Sequence, residues 1–252
     1  MKVFLVYPNI RKESLIPPVI ALLSRRLKNA GHTVELFDST DYEIDLDMID
    51  PDVVRKANLQ VIPFLLGISI LDALENREIP TVLGGVFATF APEMALRYPQ
   101  IDMVVRGEGE LPLEGLCDAI QNGKDIKRVR GIWAKNTDGS IIKNQFAPLV
   151  DIDENPTDLD IGLFDDWRLY RPLGPRQWRM LSVETHRGCP YPCGYCNSPA
   201  QNKLFKAEGA GNFFRKKSPA KVREEILYYI KNYQIEFVFF WADTFFAYNA
   251  SA

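Results

Sequence analysis

The chain has 252 residues, with 30 Lys and Arg against 33 Asp and Glu, a formal net charge of −3 and 46% hydrophobic residues. This balance is typical of a globular protein and argues against a disordered chain, a collagen or a nucleic-acid-coating tail. No apolar run approaches the ~20 residues of a membrane span. The segment Met1–Pro8 lacks the features of a secretory signal, so we expect a cytoplasmic protein whose four cysteines are thiols.

Short apolar segments separated by helical patterns define the N-terminal half. Val3–Tyr7 is a continuous apolar run, which is typical of a strand buried on both faces of a parallel sheet. Pro17 and Pro18 open an amphipathic helix, and Gly31 ends it. Strands alternating with helices predict an α/β domain with a doubly wound, Rossmann-like (flavodoxin-like) parallel sheet. The other predicted elements here are strands at 32–38, 64–69, 81–83 and 102–106 and a helix at about 111–120.

The pattern changes after residue 125, which predicts three regions: an N-terminal domain at 1–125, a hairpin and acidic connector at 126–175, and a further domain at 176–252. Asn136-Thr137-Asp138-Gly139 supplies the turn of the hairpin. In the last region we predict strands at 180–184 and 236–241 and, between them, a helix opened by Ser218 and Pro219. That region carries 11 Lys and Arg against 6 Asp and Glu, a surplus too small to indicate nucleic-acid binding.

Three of the four cysteines lie in one short segment. Cys189 and Cys193 are separated by three residues, and Cys193 and Cys196 by two, so a tight loop after the strand at 180–184 can point three thiolates at one centre. Soft thiolates select iron–sulfur clusters or zinc. A four-iron cluster held by three cysteines keeps one iron free to bind a substrate or cofactor.

This spacing, with an aromatic residue just before the last cysteine, resembles the signature of radical S-adenosylmethionine (SAM) enzymes. The resemblance implies that Cys189, Cys193 and Cys196 ligate a [4Fe-4S] cluster and that Tyr195 flanks the adenine of SAM. It also implies that Asp243, at the end of the next strand, contacts the SAM amine. An external electron donor would reduce the cluster, which would cleave SAM to start radical chemistry on a substrate.

Two other interpretations of the cysteines stay open at this stage. Zinc could be held by the three thiols together with Cys117 or His186, although zinc sites usually contain a second, distant cysteine pair. Cys117 falls in a predicted helix and is more simply a small core residue. His186 precedes the loop and is either a neighbour of the cluster or a solvated loop residue.

A second resemblance lies in the N-terminal domain. Ser69 and Leu71 after the third predicted strand, and Gly84 and Gly85 after the fourth, resemble elements of cobalamin-binding domains. In open α/β sheets ligands bind at the carboxyl ends of strands, where glycine lets a backbone approach closely. The order of domain, hairpin, connector and cysteine loop resembles the cobalamin-binding-domain radical SAM proteins over nearly the whole chain. Since Asn9 stands where some relatives carry a cobalt-ligating histidine segment, cobalamin would bind without a protein histidine.

The resemblance also implies a partial β/α (TIM-like) barrel, of which this chain contains the beginning. A full barrel takes about 250 residues, and 73 residues follow Arg179. We therefore expect a truncated product, a fragment, or a chain whose barrel is completed by another polypeptide. The expected activity is SAM-dependent radical chemistry, with cobalamin-dependent methyl transfer or a cyclisation as subclasses. The alternatives are a non-catalytic relic or partner subunit and, less favoured, a zinc-binding module.

Overall fold

The computed structural model describes residues 1–9, 11–41, 61–72 and 79–247. Contacts divide the chain into two units. Unit 1 comprises Met1–Glu13 and Ala30–Ala147, and unit 2 comprises Ser14–Asn29 and Pro148–Ala252. In the described ranges, no helix is long and apolar enough to cross a membrane.

Unit 1 begins with two parallel strands. β1 (Lys2–Tyr7) pairs with β2 (Thr33–Asp38) along its whole length, as the sequence predicts. β1 is not buried on both faces, because Phe4 remains 49% exposed, so that part of the prediction is wrong. A continuous apolar run is compatible with one open face, since periodicity does not report what covers a strand.

The larger sheet of unit 1 has the strand order β3-β4-β5-β6. β3 and β4 are parallel, and the predicted hairpin of β5 and β6 continues the sheet in antiparallel sense. β4 is buried on both faces: Val104 packs in one apolar cluster, and Met103 and Val105 pack in another. The elements of this part are β3 (Val82–Leu83), α3 (Val86–Phe90), α4 (Pro92–Ala95), β4 (Met103–Val105), α5 (Glu110–Gln121), β5 (Ile132–Lys135) and β6 (Ile141–Lys143), with α2 (Val61–Asp72) before them.

The predicted strand at 64–69 is wrong, because these residues belong to helix α2. Its run of apolar residues has no polar alternation, and such a run does not distinguish a buried strand from a buried helix. Pro63 lies in the first turn of the helix, where its lack of an N–H breaks no intrahelical hydrogen bond. Ser69 and Leu71 are therefore helical residues rather than residues beyond the end of a strand.

Unit 2 contains α1 (Pro18–Asn29), which the sequence predicts between β1 and β2. Asp160, in the segment before the last sheet, accepts hydrogen bonds from Ser24 Oγ at 2.5 Å and Lys28 Nζ at 2.6 Å. Ser24 is fully buried, so these contacts hold the helix against that segment. The segment itself contains three single 3₁₀ turns at Ile152–Glu154, Ile161–Leu163 and Asp166–Leu169.

The main sheet of unit 2 has the order β11-β8-β7. Its parallel pair, β8 and β11, confirms the two strands predicted around the cysteine loop. The helix between them starts where predicted, since Ser218 Oγ accepts a hydrogen bond from Lys221 N at 3.1 Å. The elements are β7 (Tyr170–Leu173), β8 (Arg176–Glu184), β9 (His186–Arg187), α6 (Ser198–Ala207), β10 (Arg215–Lys216), α7 (Pro219–Tyr233) and β11 (Phe237–Trp241).

β11 differs from its prediction in burial. The sequence predicts a buried strand, but Phe239, Phe240 and Trp241 are each more than 40% exposed. Burial of a strand depends on the elements that pack against it, and composition alone does not reveal whether those elements lie within the chain. The exposed aromatic rings make β11 an apolar edge of the sheet.

Candidate functional site

The cysteine loop starts from a strand that is held from two sides. After β8 ends, Thr185 N donates to Trp241 O at 3.0 Å, and Lys217 N donates to Thr185 O at 2.9 Å. β9 then pairs antiparallel with β10. The chain therefore reaches the first cysteine with its backbone fixed to both neighbouring strands.

Gly188 makes the closest backbone approach at this site. Its φ is +79°, and a Cβ atom built on it would lie 2.3 Å from Phe213 O. Only glycine fits a left-handed residue so close to another backbone. The conformation of Gly188 therefore determines the direction of the backbone at Cys189.

The three loop cysteines are free thiols of differing exposure. Cys189 and Cys193 are partly buried and Cys196 is exposed. Cys196 N donates to Cys193 O at 3.2 Å, which closes a turn over the two residues between them. Cys189 Sγ lies 2.9 Å from Thr244 Oγ1, and Ser198 N donates to Cys196 Sγ at 3.4 Å.

The surroundings of Cys196 favour its thiolate. The amide of Ser198 lowers the pKa of Cys196 by hydrogen bonding to its sulfur, and the carboxylate of Asp243 acts in the opposite direction. Asp243 lies in the turn after β11, and its contact with the SAM amine stays a prediction. Tyr195 is 94% exposed, and its pKa is raised by the hydrogen bond and charge of Cys193.

The donor atoms are of the kind that iron–sulfur clusters and zinc prefer. Three soft sulfurs come from one short loop, and the exposed Cys196 gives access from solvent. Among the described residues, no group of three or more His, Cys, Asp or Glu side chains converges as a metal site. The three cysteines share a loop, and their convergence on one centre remains a prediction.

The two residues considered as a fourth zinc ligand have other contacts. Cys117 is buried in α5, where burial raises the pKa of its thiol. His186 Nδ1 lies 2.9 Å from Thr185 Oγ1, and its ring is stacked on Phe214 at 5.9 Å. Burial lowers the pKa of His186, and the nearby charge of Lys216 lowers it further. The ring of His186 therefore packs at the base of the loop.

The residues predicted to contact cobalamin fall into two groups in unit 1. Gly84 and Gly85 follow β3 as predicted, are exposed, and have open space where a Cβ would stand. Gly85 has a φ of +95°, so its backbone adopts a conformation that favours glycine. Ser69 and Leu71 lie on α2, and Leu71 packs against the same apolar cluster as Leu83 at the end of β3.

Asn9 occupies the position beyond β1 where a cobalt-ligating histidine segment would stand. Its amide nitrogen donates to Glu13 O at 2.9 Å and to Thr40 Oγ1 at 2.7 Å, and its backbone N–H donates to Ser39 Oγ. The neighbouring Ile10 lies outside the described residues. Asn9 thus ties the end of β1 to the end of β2.

Comparison with known proteins finds a family match in the N-terminal part of the chain and relatives that are similar over nearly its whole length. The B12 binding domain family matches residues 11–117. An uncharacterized methyltransferase of Pyrococcus horikoshii is 30% identical, over 97% of this chain and 54% of the relative. The anaerobic magnesium-protoporphyrin IX monomethyl ester cyclase of Rubrivivax gelatinosus is 29% identical, over 94% of this chain and 44% of the relative.

Solved structures share the fold along nearly the whole chain. The cobalamin-dependent S-adenosylmethionine radical enzyme OxsB, with aqua-cobalamin and S-adenosylmethionine bound, has a TM-score of 0.64 at 22% identity, over 97% of this chain and 34% of that one. The chain shares the fold of a cobalamin-dependent radical SAM enzyme over nearly its whole length. The radical S-adenosylmethionine methyltransferase TsrM from Kitasatospora setae shares the fold as well, with a TM-score of 0.60 at 21% identity over 95% of this chain and 47% of that one.

The chain spans about half the length of the curated relatives it matches. The structure adds contacts that sequence reasoning missed: Thr244 beside Cys189, Gly188 against Phe213, and a buried ion pair of Lys217 and Glu225. A glycine directly before the first cysteine was the available signal for Gly188. Thr244 and Cys189 are 55 positions apart, and Lys217 and Glu225 are eight positions apart. No short sequence motif predicts either contact.

Proposed function

We propose that this chain provides the cobalamin-binding domain and the cluster loop of a radical SAM enzyme. Cys189, Cys193 and Cys196 would hold three irons of a [4Fe-4S] cluster, and the fourth iron would accept SAM. The observation that carries the proposal is the set of three free thiols on one loop. The loop begins after Gly188, and the residues just before it form β9, which is paired with β10. When bound, the cluster supplies the electron that cleaves SAM reductively.

The residues around the loop have distinct roles in this proposal. Tyr195 is free to lie along the adenine, because almost its whole side chain is exposed. The exposed carboxylate of Asp243 would pair with the methionyl amine of SAM, an interaction between opposite charges. Gly188 and the β9–β10 pair would keep Cys189 in place while the substrate reacts.

The proposed reaction class is cobalamin-dependent methyl transfer. Its support is the B12 binding domain match at 11–117 and the relatives named as methyltransferases, together with the hopanoid C-3 methylase of Methylococcus capsulatus. Gly84 and Gly85 offer exposed backbone for the cofactor, and Ser69 and Leu71 lie on the adjoining helix. A cyclisation is the second candidate, because a named relative is a cyclase.

The test is the iron and sulfide content of the anaerobically reconstituted chain, with EPR of the reduced protein recorded with and without SAM. We expect about four irons, as a [4Fe-4S] cluster requires, and a spectrum that changes when SAM is added. Cys193→Ala should lose the cluster, whereas Cys117→Ala should retain it, because Cys117 is a core residue of α5. Zinc in place of iron, or equal loss in both variants, would refute the cluster assignment.

An additional polypeptide and an external electron donor are further parts of the proposal. The aromatic residues of β11 that face solvent are an apolar surface suited to further barrel strands. If the reconstituted chain binds the cluster and SAM but cleaves SAM only with a second polypeptide present, the chain acts as a partner subunit. The proposed substrate is a compound with a carbon atom that radical chemistry can functionalise.

A further inference from the structure

A side-chain hydroxyl contacts the first of the loop cysteines. Thr244 Oγ1 lies 2.9 Å from Cys189 Sγ, although the two residues are 55 positions apart. A metal-bound thiolate has no proton to give, so the hydroxyl must be the donor when Cys189 serves as a ligand. The contact then becomes a hydrogen bond from Thr244 to a cluster sulfur.

The backbone and the next side chain hold Thr244 in this position. Ala247, which is fully buried, donates its backbone N–H to Thr244 O at 3.2 Å and so closes the turn after β11. The adjacent ring of Phe245 is stacked on Phe240 at 5.4 Å and meets His186 edge-on at 6.0 Å. The backbone hydrogen bond of Ala247 and the ring contacts of Phe245 thus hold the turn that places the Thr244 hydroxyl beside the loop.

The hydrogen bonds to Cys189 and Cys196 differ in origin. Cys196 Sγ accepts from the backbone amide of Ser198, which no substitution at position 198 other than proline removes. As a cluster ligand, Cys189 Sγ would accept from the side chain of Thr244, and a single substitution removes that donor. Thr244 is therefore a position where the electrostatics of a cluster ligand can be changed without changing the ligand.

We propose that Thr244 is a positioning residue that orients Cys189 and raises the reduction potential of the cluster. This inference rests on the proposed function. Hydrogen bonds to the sulfurs are among the factors that set the potential of an iron–sulfur cluster. Because a donor withdraws charge from the thiolate, it stabilises the reduced cluster, which carries one more negative charge.

The experiment is an EPR-monitored redox titration of the full chain after anaerobic reconstitution with ferrous iron and sulfide. Thr244→Val keeps the shape of the side chain and removes the donor, and Thr244→Ser keeps the donor and removes a methyl group. We expect the midpoint potential of Thr244→Val to shift to more negative values and that of Thr244→Ser to stay near the unsubstituted chain. Thr244→Ala, which also lacks the hydroxyl, should shift in the same direction and replaces the valine variant if that protein does not fold.

The results separate this inference from the proposed function. A cluster that forms with the same potential in Thr244→Val and in the unsubstituted chain overturns the role of Thr244 and leaves the proposed function intact. An equal shift in Thr244→Ser also overturns it, because packing rather than the donor would then be responsible. An unsubstituted chain that takes up no iron refutes the proposed function, and this inference with it.

Discussion

Gly188→Ala tests how tightly the structure fixes the start of the cysteine loop. The new Cβ would lie 2.3 Å from Phe213 O and 2.9 Å from its carbonyl carbon. Non-bonded heavy atoms reach their best separation at about 3.5 Å, so the two backbone segments would have to part by about 1 Å. A left-handed L residue adds about 1–2 kcal/mol and overpacking about 1–3 kcal/mol, which together predict a loss of roughly 2–5 kcal/mol of unfolding free energy.

Gly194→Ala is the matched control, because Gly194 lies in the same loop and, in the part of the chain that the structure describes, no heavy atom lies within 4 Å of its Cβ position. We expect a change of at most about 0.5 kcal/mol for this variant, as for an ordinary surface substitution. Urea unfolding followed by tryptophan fluorescence measures the difference. Of the four tryptophans, the three in the unit that contains the loop are Trp167, Trp178 and Trp241. Equal stability of the two variants would refute the close approach of Gly188 and Phe213.

Three further substitutions test the interior. Lys217→Met leaves the buried carboxylate of Glu225 unpaired and should cost about 3–5 kcal/mol near pH 7. Burial raises the pKa of Glu225, and Lys217 opposes that shift. The loss of thermal stability in Lys217→Met, relative to the unsubstituted chain, should therefore increase as the pH rises and decrease as the pH falls. A loss of stability that does not depend on pH would contradict this. Arg106→Met removes a guanidinium held between two aromatic rings at 4.4 and 4.5 Å and should cost about 2 kcal/mol in urea unfolding. Tyr229→Phe removes a buried hydroxyl that has no hydrogen-bond partner among the described residues, and a gain of about 1 kcal/mol is expected in the same assay.

The sequence predicts well those elements whose ends carry their own local chemistry. Ser218 and Pro219 start α7, and Gly31, with a φ of +85°, follows α1. The hairpin turn at 136–139 closes through Asn136 N donating to Ser140 O at 2.8 Å. In each case a few neighbouring residues determine the backbone, so no distant contact has to be known.

The errors arise where the outcome depends on distant residues. α2 was predicted as a strand because an apolar run has the same composition in both structures. The sequence predicts a buried β11, but the elements packed against it leave its aromatic side chains exposed to solvent. The candidate site divides in the same way, since the cysteine spacing is local, whereas Thr244 reaches Cys189 only through the parallel pairing of β8 and β11.

The placement of α1 has a consequence for how this chain can be divided. The helix lies between two strands of unit 1 in sequence, yet its contacts belong to unit 2, where Asp160 binds Ser24 and Lys28. The polypeptide therefore crosses between the units three times, and no single cut separates them. A fragment that ends before Asp160 would contain α1 without the carboxylate that Ser24 and Lys28 contact, so α1 needs the later part of the chain to be held in place.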